Sequence, residues 1–191
     1  MKLILSKIKT YFGKLDKLLL FMCIGIAGFA VFIQYTLYEN DISSAVTATQ
    51  YKTQLIAFIG GLVIALVLAV INYKFIAKLW FIYVPIGLGL TLLLFTPLGI
   101  QREGADDIGW LDLGIMTIQP SEILKLAFIL SLAFHLSKVE DRMNEPMHFI
   151  LLCIHGAIPT LLIRQTGDDG SAIVFPVSYT HLRAHETSLH L

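Results

Sequence analysis

The stretch IQPSEILKLAF, residues 118–128, places a proline, a serine, a glutamate and a lysine at the start of an otherwise apolar segment. Pro120 suits the first turn of a helix, because its missing N–H would have no partner there. Glu122 lies in the same turn, where the positive end of the helix dipole favours a carboxylate. Lys125 follows three residues later on the same face, within reach of an ion pair. The stretch therefore predicts a helix that begins with a charge pair.

The composition indicates that the surroundings of this helix are lipid. Apolar residues make up 56% of the 191 residues, charged residues make up 15%, and the mean hydropathy is +0.75. Soluble domains carry about 25% charged residues, so this chain has too few for a wet surface. The net charge of zero argues against a nucleic-acid partner, which would require a basic patch.

Five apolar stretches approach the roughly 20 residues that cross a bilayer. A sixth begins near residue 171 and is interrupted after seven apolar-rich residues, SAIVFPV. The sequence therefore predicts an all-α, polytopic membrane helix bundle with about five complete transmembrane helices and a truncated sixth. The five predicted spans cover approximately Leu18–Tyr38, Leu55–Ile71, Leu79–Phe95, Ser121–Leu136 and Phe149–Ile163.

Lysine and arginine in the connecting segments predict the orientation. With a cytoplasmic N-terminus, nine of them lie inside: Lys2, Lys7, Lys9, Lys14, Lys17, Lys74, Lys78, Lys138 and Arg142. Only three, Lys52, Arg102 and Arg164, then lie outside. Cytoplasmic loops carry the excess of basic residues, so the N-terminus is predicted inside and the acidic loop at residues 96–119 outside.

Two interpretations of Glu122 and Lys125 remain open at this stage. In the first, both lie near the membrane interface and neutralise each other. In the second, they face a polar cavity or hold the outer loop, because a charge retained at membrane depth usually serves a function.

A longer pattern surrounds the opening stretch. A glycine-led loop holds a tryptophan and a Leu-Gly pair, and Gln-Pro-Ser-Glu and a lysine follow: Gly104, Trp110, Leu113, Gly114, Gln119, Pro120, Ser121, Glu122 and Lys125. A second pattern, Asp-x-Gly-Ser-Ala, opens the sixth stretch with Asp168, Gly170, Ser171 and Ala172. Together they resemble the SEDS family of shape, elongation, division and sporulation proteins, typified by RodA, FtsW and SpoVE, over residues 11–176.

The resemblance implies a peptidoglycan glycosyltransferase of the bacterial plasma membrane. Such an enzyme polymerises lipid II, a lipid-linked disaccharide-pentapeptide, into glycan strands beside a class B penicillin-binding transpeptidase. Its catalytic base is expected to be an aspartate in an outer loop of the family's second half, so no residue of this chain receives that role. The family-motif and substrate-groove candidates are Trp110, Gln119, Pro120, Ser121, Glu122, Lys125, Asp168, Gly170 and Ser171. No cofactor is identified; a divalent cation is compatible with the full-length family, but no ligand for it is assigned here.

Two positions depart from the family pattern. The arginine usual before the tryptophan is Gly109 here, and the proline common before the second pattern's aspartate is Gly167. Both changes affect the expected geometry of the loops.

The chain is expected to divide into a basic cytoplasmic leader (1–17), a transmembrane domain (18–176) and a non-native tail (177–191). The tail SYTHLRAHETSLHL resembles translated adapter sequence. It is expected to be disordered or arbitrarily placed and to contribute nothing to the bundle. A metal site at His181 and His185 is disfavoured because no full ligand set accompanies them.

Two other functions stay open. The chain could belong to a flippase or transporter of the lipid-linked precursor, or to a membrane scaffold of the division machinery. An aspartate-bearing outer loop in downstream sequence would favour the polymerase.

The predicted orientation can be tested by cysteine labelling. We expect Asp107→Cys, but not Arg142→Cys, to react with a membrane-impermeant maleimide on whole cells, in a background lacking Cys23 and Cys153. Permeabilised cells, in which both positions should react, are the control. Labelling at 142 but not at 107 would reverse the orientation.

Overall fold

The computed structural model describes residues 16–40, 42, 47–102, 104–114, 117–142 and 145–188. The predicted basic leader lies outside this part of the chain, except for its last two positions. The chain forms two compact units, Met1–Asn72 and Tyr73–Leu191, which are described in turn.

The first unit contains two long helices, α1 (Lys17–Glu39) and α2 (Ala48–Val70). The Asp16 side chain accepts a hydrogen bond from the Leu19 N–H at 3.0 Å and caps α1. A capping box begins α2, because Thr47 and Gln50 each accept the other's backbone N–H. Both helices therefore begin where their own side chains satisfy N–H groups that have no partner within the helix.

Neither helix buries a side chain among its described residues. A long helix that is apolar on all sides and yet exposed is suited to lipid, where every backbone polar group must be satisfied internally. Lys17–Glu39 and Ala48–Ala69 are both long and apolar enough to cross a membrane. The first two predicted spans are therefore present as helices of the expected kind.

The second unit is built around three long helices and a small sheet. Its described elements are α3 (Tyr73–Lys78), α4 (Trp80–Leu92), a 3-10 turn (Leu93–Phe95), β1 (Gly99–Ile100), β2 (Trp110–Asp112), β3 (Thr117–Ile118), α5 (Pro120–Val139), a 3-10 turn (Glu140–Arg142), α6 (Pro146–Arg164) and α7 (Asp169–Ser188). The strands form an antiparallel sheet in the order β1-β2-β3. The prediction of an all-α chain missed this sheet, because strands of two or three residues are too short to show a period in the sequence.

The core of the second unit lies along α5. Four of its apolar side chains are buried at intervals of four residues: Leu124, Phe128, Leu132 and Leu136. Residues four apart share one face of a helix, and α6 and α7 complete the cluster with Leu152, Ile163 and Phe175. The Phe128 and Phe175 rings meet edge to face, with their centroids 5.2 Å apart.

The count of five complete spans is only partly matched. In the described residues, three helices are long and apolar enough to cross a membrane, and the third of them is Pro146–Arg164. The predicted span near residues 79–95 forms a shorter apolar helix, Trp80–Phe95. The stretch at 121–136 forms α5, which is 20 residues long and has nine buried residues, and which carries Glu122 and Lys138 in its first and last turns.

The expectation that the tail contributes nothing to the bundle is wrong. Helix α7 continues to Ser188, and Tyr179 and Leu182 pack against the core cluster. Together with Phe175 they are spaced by four and then three residues, which places them on one helix face. The expectation failed because it relied on the interrupted apolar run and overlooked this stripe of spaced residues.

The contact between α4 and α5 depends on Gly87. A Cβ added there would lie 3.2 Å from Leu124 Cδ1 and 3.4 Å from Leu124 Cα, whereas at Gly89 it would meet nothing within 4 Å. Small residues of this kind let membrane helices approach closely.

We expect Gly87→Val to destabilise the protein by about 1–3 kcal/mol through overpacking. Gly89→Val, which adds the same side chain to the same helix, should cost less. To measure the difference, both variants are heated in detergent, and the folded fraction at each temperature is measured by size-exclusion chromatography to give the unfolding midpoint. Equal midpoints for the two variants would contradict the packing argument.

Candidate functional site

The first turn of α5 presents the Gln-Pro-Ser-Glu motif where the sequence predicts a helix start. Gln119 is the N-cap residue, and Pro120 occupies the first turn. Pro120 and Ser121 are buried, and the hydroxyl of Ser121 has no hydrogen-bond partner among the described atoms. The motif therefore combines a helix start with protein packing, so these side chains are held in place.

The predicted pairing of Glu122 with Lys125 is confirmed. Lys125 Nζ lies 2.6 Å from Glu122 Oε1. The two side chains differ in exposure, with 60% of Glu122 and 19% of Lys125 accessible. The carboxylate is thus accessible from outside the described chain, while the ammonium group is held against the protein.

The small sheet ties the 96–119 loop to the start of α5. Leu111 of β2 pairs with Gly99 on one side and Ile118 on the other, and its side chain is fully buried. Since β3 ends at Ile118, one residue before the N-cap of α5, movement of the sheet would move the motif.

Trp110 stands in the middle strand of this sheet. The guanidinium carbon of Arg102 lies 3.3 Å from the centre of its ring, which is a cation–π contact. The contact joins β2 to the segment that follows β1. Farther along the loop, Asp112 Oδ1 accepts the Gly114 N–H at 2.8 Å, and Gly114 has a φ of 81° that favours glycine.

The second motif caps α7. Asp168 Oδ1 accepts the Ser171 N–H at 2.8 Å, and the Asp168 carbonyl accepts the Ala172 N–H at 3.0 Å. Asp168 is therefore a side-chain cap of the helix start. Gly170 lies in the exposed first turn.

The two motifs meet through the backbone of the loop. The Ile108 N–H donates to the Thr166 carbonyl at 2.9 Å, and a Cβ placed on Gly167 would lie 3.3 Å from Asp107 Cα. The bonds of Glu122 and Lys125 stay within α5, and that of Asp168 stays within α7. The loop, and not these side chains, brings the motifs together.

The structure explains both departures from the family pattern around Asp107. A Cβ at Gly109 would collide with the Asp107 carboxylate, so an arginine there requires that carboxylate to move. Gly167 has a φ of 89°, which proline, locked near −65°, cannot adopt. Both glycines therefore accommodate Asp107 in its observed position.

Sequence reasoning missed several residues that the fold brings together. Asp107 and Thr166 lie in the loop contact, and His135 faces His155 between α5 and α6. A usable signal for the histidines was that each interrupts an apolar run. In the described part of the chain, no three His, Cys, Asp or Glu residues converge to hold a metal ion, so no residues can be assigned to a divalent cation.

The family is decided by a match over most of the length. The model of the FtsW/RodA/SpoVE family, described as cell cycle protein, matches residues 15–183. The chain belongs to this SEDS family. It is therefore a multi-pass membrane protein, and the resemblance inferred from the two motifs is confirmed.

Solved structures share the SEDS fold. The rod shape determining protein RodA of Thermus thermophilus is 21% identical, with a TM-score of 0.62 over 90% of this chain and 57% of that one. A mutant of that RodA gives a TM-score of 0.60. A peptidoglycan synthase complex that coordinates polymerization and crosslinking contains a chain that is also 21% identical, with a TM-score of 0.62 over 90% of this chain and 51% of that one. This chain thus spans little more than half of these proteins. Comparison with curated proteins finds no match.

The contact between the 96–119 loop and the α6–α7 turn should depend on Gly167 in this SEDS chain. We expect Gly167→Ala to strain the backbone by about 1–3 kcal/mol, because φ is positive there. Hydrogen exchange at the Ile108 amide should then accelerate by roughly fivefold or more.

Gly170→Ala is the matched control for this variant. Gly170 lies in the helical first turn of α7, and a Cβ there would approach only Asp168 Oδ1, at 3.7 Å. Equal exchange at Ile108 in the two variants would show that the turn does not depend on the Gly167 conformation.

Proposed function

We propose that this protein takes part in polymerising lipid II into the glycan strands of peptidoglycan. The observation that carries the proposal is the loop contact, in which Ile108 bonds to Thr166 and so joins the two SEDS motifs. An enzyme that works on a membrane-anchored substrate needs such a rigid frame at the membrane surface, because catalytic groups must be held in a fixed geometry.

The proposed topology has five complete membrane spans and a cytoplasmic N-terminus in the bacterial plasma membrane. Charge bias in the connecting segments supports this orientation. The 96–119 loop, the α6–α7 turn and the start of α5 then share the outer face, where glycan strands are built.

The Glu122–Lys125 pair is proposed to support the substrate groove. A charged carboxylate that is 60% accessible at the start of a helix in lipid requires a polar neighbour beyond its own lysine. The partly covered Lys125 pairs with Oε1 of that carboxylate. The pair can therefore orient polar groups of the substrate or of further protein without an isolated charge in the membrane.

The catalytic base and the crosslinking partner of this protein are proposed from what the family resemblance implies. Family members are expected to carry the base on an aspartate in a loop of their second half, and neither Asp107 nor Asp168 is assigned that role. The bond of Asp168 to Ser171 accounts for its position as a cap. A class B penicillin-binding protein is proposed as the crosslinking partner, supported by the likeness to a complex that coordinates polymerization and crosslinking.

Reconstitution with a fluorescent lipid II analogue tests the proposal. We expect the full reading frame of the source locus, placed in liposomes, to produce a ladder of glycan strands on a gel. The 191-residue chain alone should produce none, because the base is expected in the second half. A ladder from this chain alone would refute that division of labour. Movement of the analogue between leaflets without a ladder would identify a transporter. The absence of both activities would favour the membrane scaffold.

Variants of the charge pair sharpen this assay. Glu122→Gln should lower the polymerisation rate by about tenfold or more, a change of roughly 1.4 kcal/mol in the barrier. The exchanged pair, Glu122→Lys with Lys125→Glu, should recover part of that loss. Arg142→Gln, in the exposed 3-10 turn after α5, should leave the rate unchanged.

A further inference from the structure

Two histidines face each other inside the second unit, away from both family motifs. His135 Nδ1 of α5 lies 3.1 Å from His155 Nδ1 of α6, and the two rings stack with an interplanar angle of 26°. Ser131 Oγ lies 3.0 Å from His155 Nε2. Ionisable side chains within a membrane helix bundle are costly, and they commonly mark a pathway or a binding site.

The bonds of Ser131 determine where the protons lie. Ser131 Oγ donates its single hydrogen to the Phe128 carbonyl at 3.1 Å, so it accepts the N–H of His155 Nε2. A neutral imidazole carries one N–H, which makes His155 Nδ1 an acceptor and His135 Nδ1 the donor to it. The chain of hydrogen bonds therefore runs from His135 to His155 to Ser131 and ends on the Phe128 carbonyl. This assignment leaves a lone pair on Nε2 of His135.

A cavity lies beside this pair. Its volume is about 380 Å³, which is room for several water molecules at roughly 30 Å³ each. The side chains of His135 and His155 line it, together with Trp80, Ser131, Phe134 and Lys138. The two rings therefore border open space and are not enclosed in a packed core.

The ionisable groups around the pair are mainly basic. On α6, His148 interacts electrostatically with His135, and on α5 Lys138 lines the cavity. The other described helices of this unit carry Lys74 and Lys78 (α3), Tyr83 (α4), and His181 and Arg183 (α7), none of which lines the cavity. The carboxylate of Glu145 lies 3.5 Å from His148 Nε2.

The histidine pair is better suited to bind a proton than a metal ion. Protein zinc sites use three or four side-chain ligands, and no such group converges in the described part of the chain. The two Nδ1 atoms, in contrast, are separated by an ordinary hydrogen-bond length for one shared proton.

We propose that His135 and His155 form a proton-binding site within the helix bundle. A proton from water in the cavity bonds to Nε2 of His135, whose Nδ1–H then becomes a charge-assisted donor to His155 Nδ1. A second proton, on His155 Nδ1, would set two N–H donors against each other across 3.1 Å. The site therefore binds one proton and not two, and the positive charge is shared across the contact between α5 and α6.

Trp80 provides a local reporter, because it lines the same cavity and the chain has only two tryptophans. In the full chain carrying Trp110→Phe, we expect Trp80 fluorescence to change in one single-proton transition between about pH 8 and about pH 5, the range in which histidine titrates. Adding His135→Gln should abolish the transition. Adding His155→Leu, which removes the acceptor, should shift its midpoint. His181→Gln is the matched control and should change neither.

Nitrogen NMR of the unmodified chain, labelled at histidine with ¹⁵N, provides a measurement that does not depend on variants. We expect the resonances of His135 and His155 to move together as one proton is taken up. Independent titration of the two rings, or a fluorescence transition that survives His135→Gln in folded protein, would overturn the proposal. Loss of the transition in His181→Gln would also overturn it.

Discussion

The second unit depends on the apolar row that α5 presents along its length. Leu124 receives Gly87 of α4 at close range, and Phe128 meets Phe175 of α7. Lipid removes much of the hydrophobic drive for helices to associate, so their packing depends on close contact and on interhelical hydrogen bonds. The same helix carries the charge pair at its start and Ser131 and His135 in its middle. Packing and chemistry are therefore combined on one element.

The helices whose environment is uniform could be predicted from composition alone. α1 and α2 are long and largely apolar and bury none of their described side chains, so a simple count of apolar residues finds them. α5 was found by its starting motif, since proline and glutamate have physical reasons to occupy a first turn. The packing of the C-terminal part of α7 was not predicted, because its buried face consists of a few spaced residues, including Tyr179 and Leu182, within a polar sequence.

The geometry of the candidate site could be predicted only in part. The pairing of Glu122 with Lys125 follows from their spacing of three, which is local information. The bond between Ile108 and Thr166 joins residues far apart in sequence, and the histidine pair joins two helices. Neither of these contacts produces a periodic pattern in a single sequence. The glycines at 109 and 167 could be recognised as departures, but their common neighbour, Asp107, emerges only from the fold.

The caps of the first two helices bear on how the protein enters the membrane during its synthesis. Thr47 and Gln50 bond to each other's backbone N–H groups, and the Asp16 side chain accepts the Leu19 N–H of α1. Each helix therefore satisfies part of its first turn without borrowing a donor or acceptor from a distant segment. Tyr51 of α2 meets the rings of Tyr35 and Tyr38 of α1, so their contact is local as well. We therefore expect this pair of helices to leave the translocon and insert into lipid together, before the ribosome has synthesised α5.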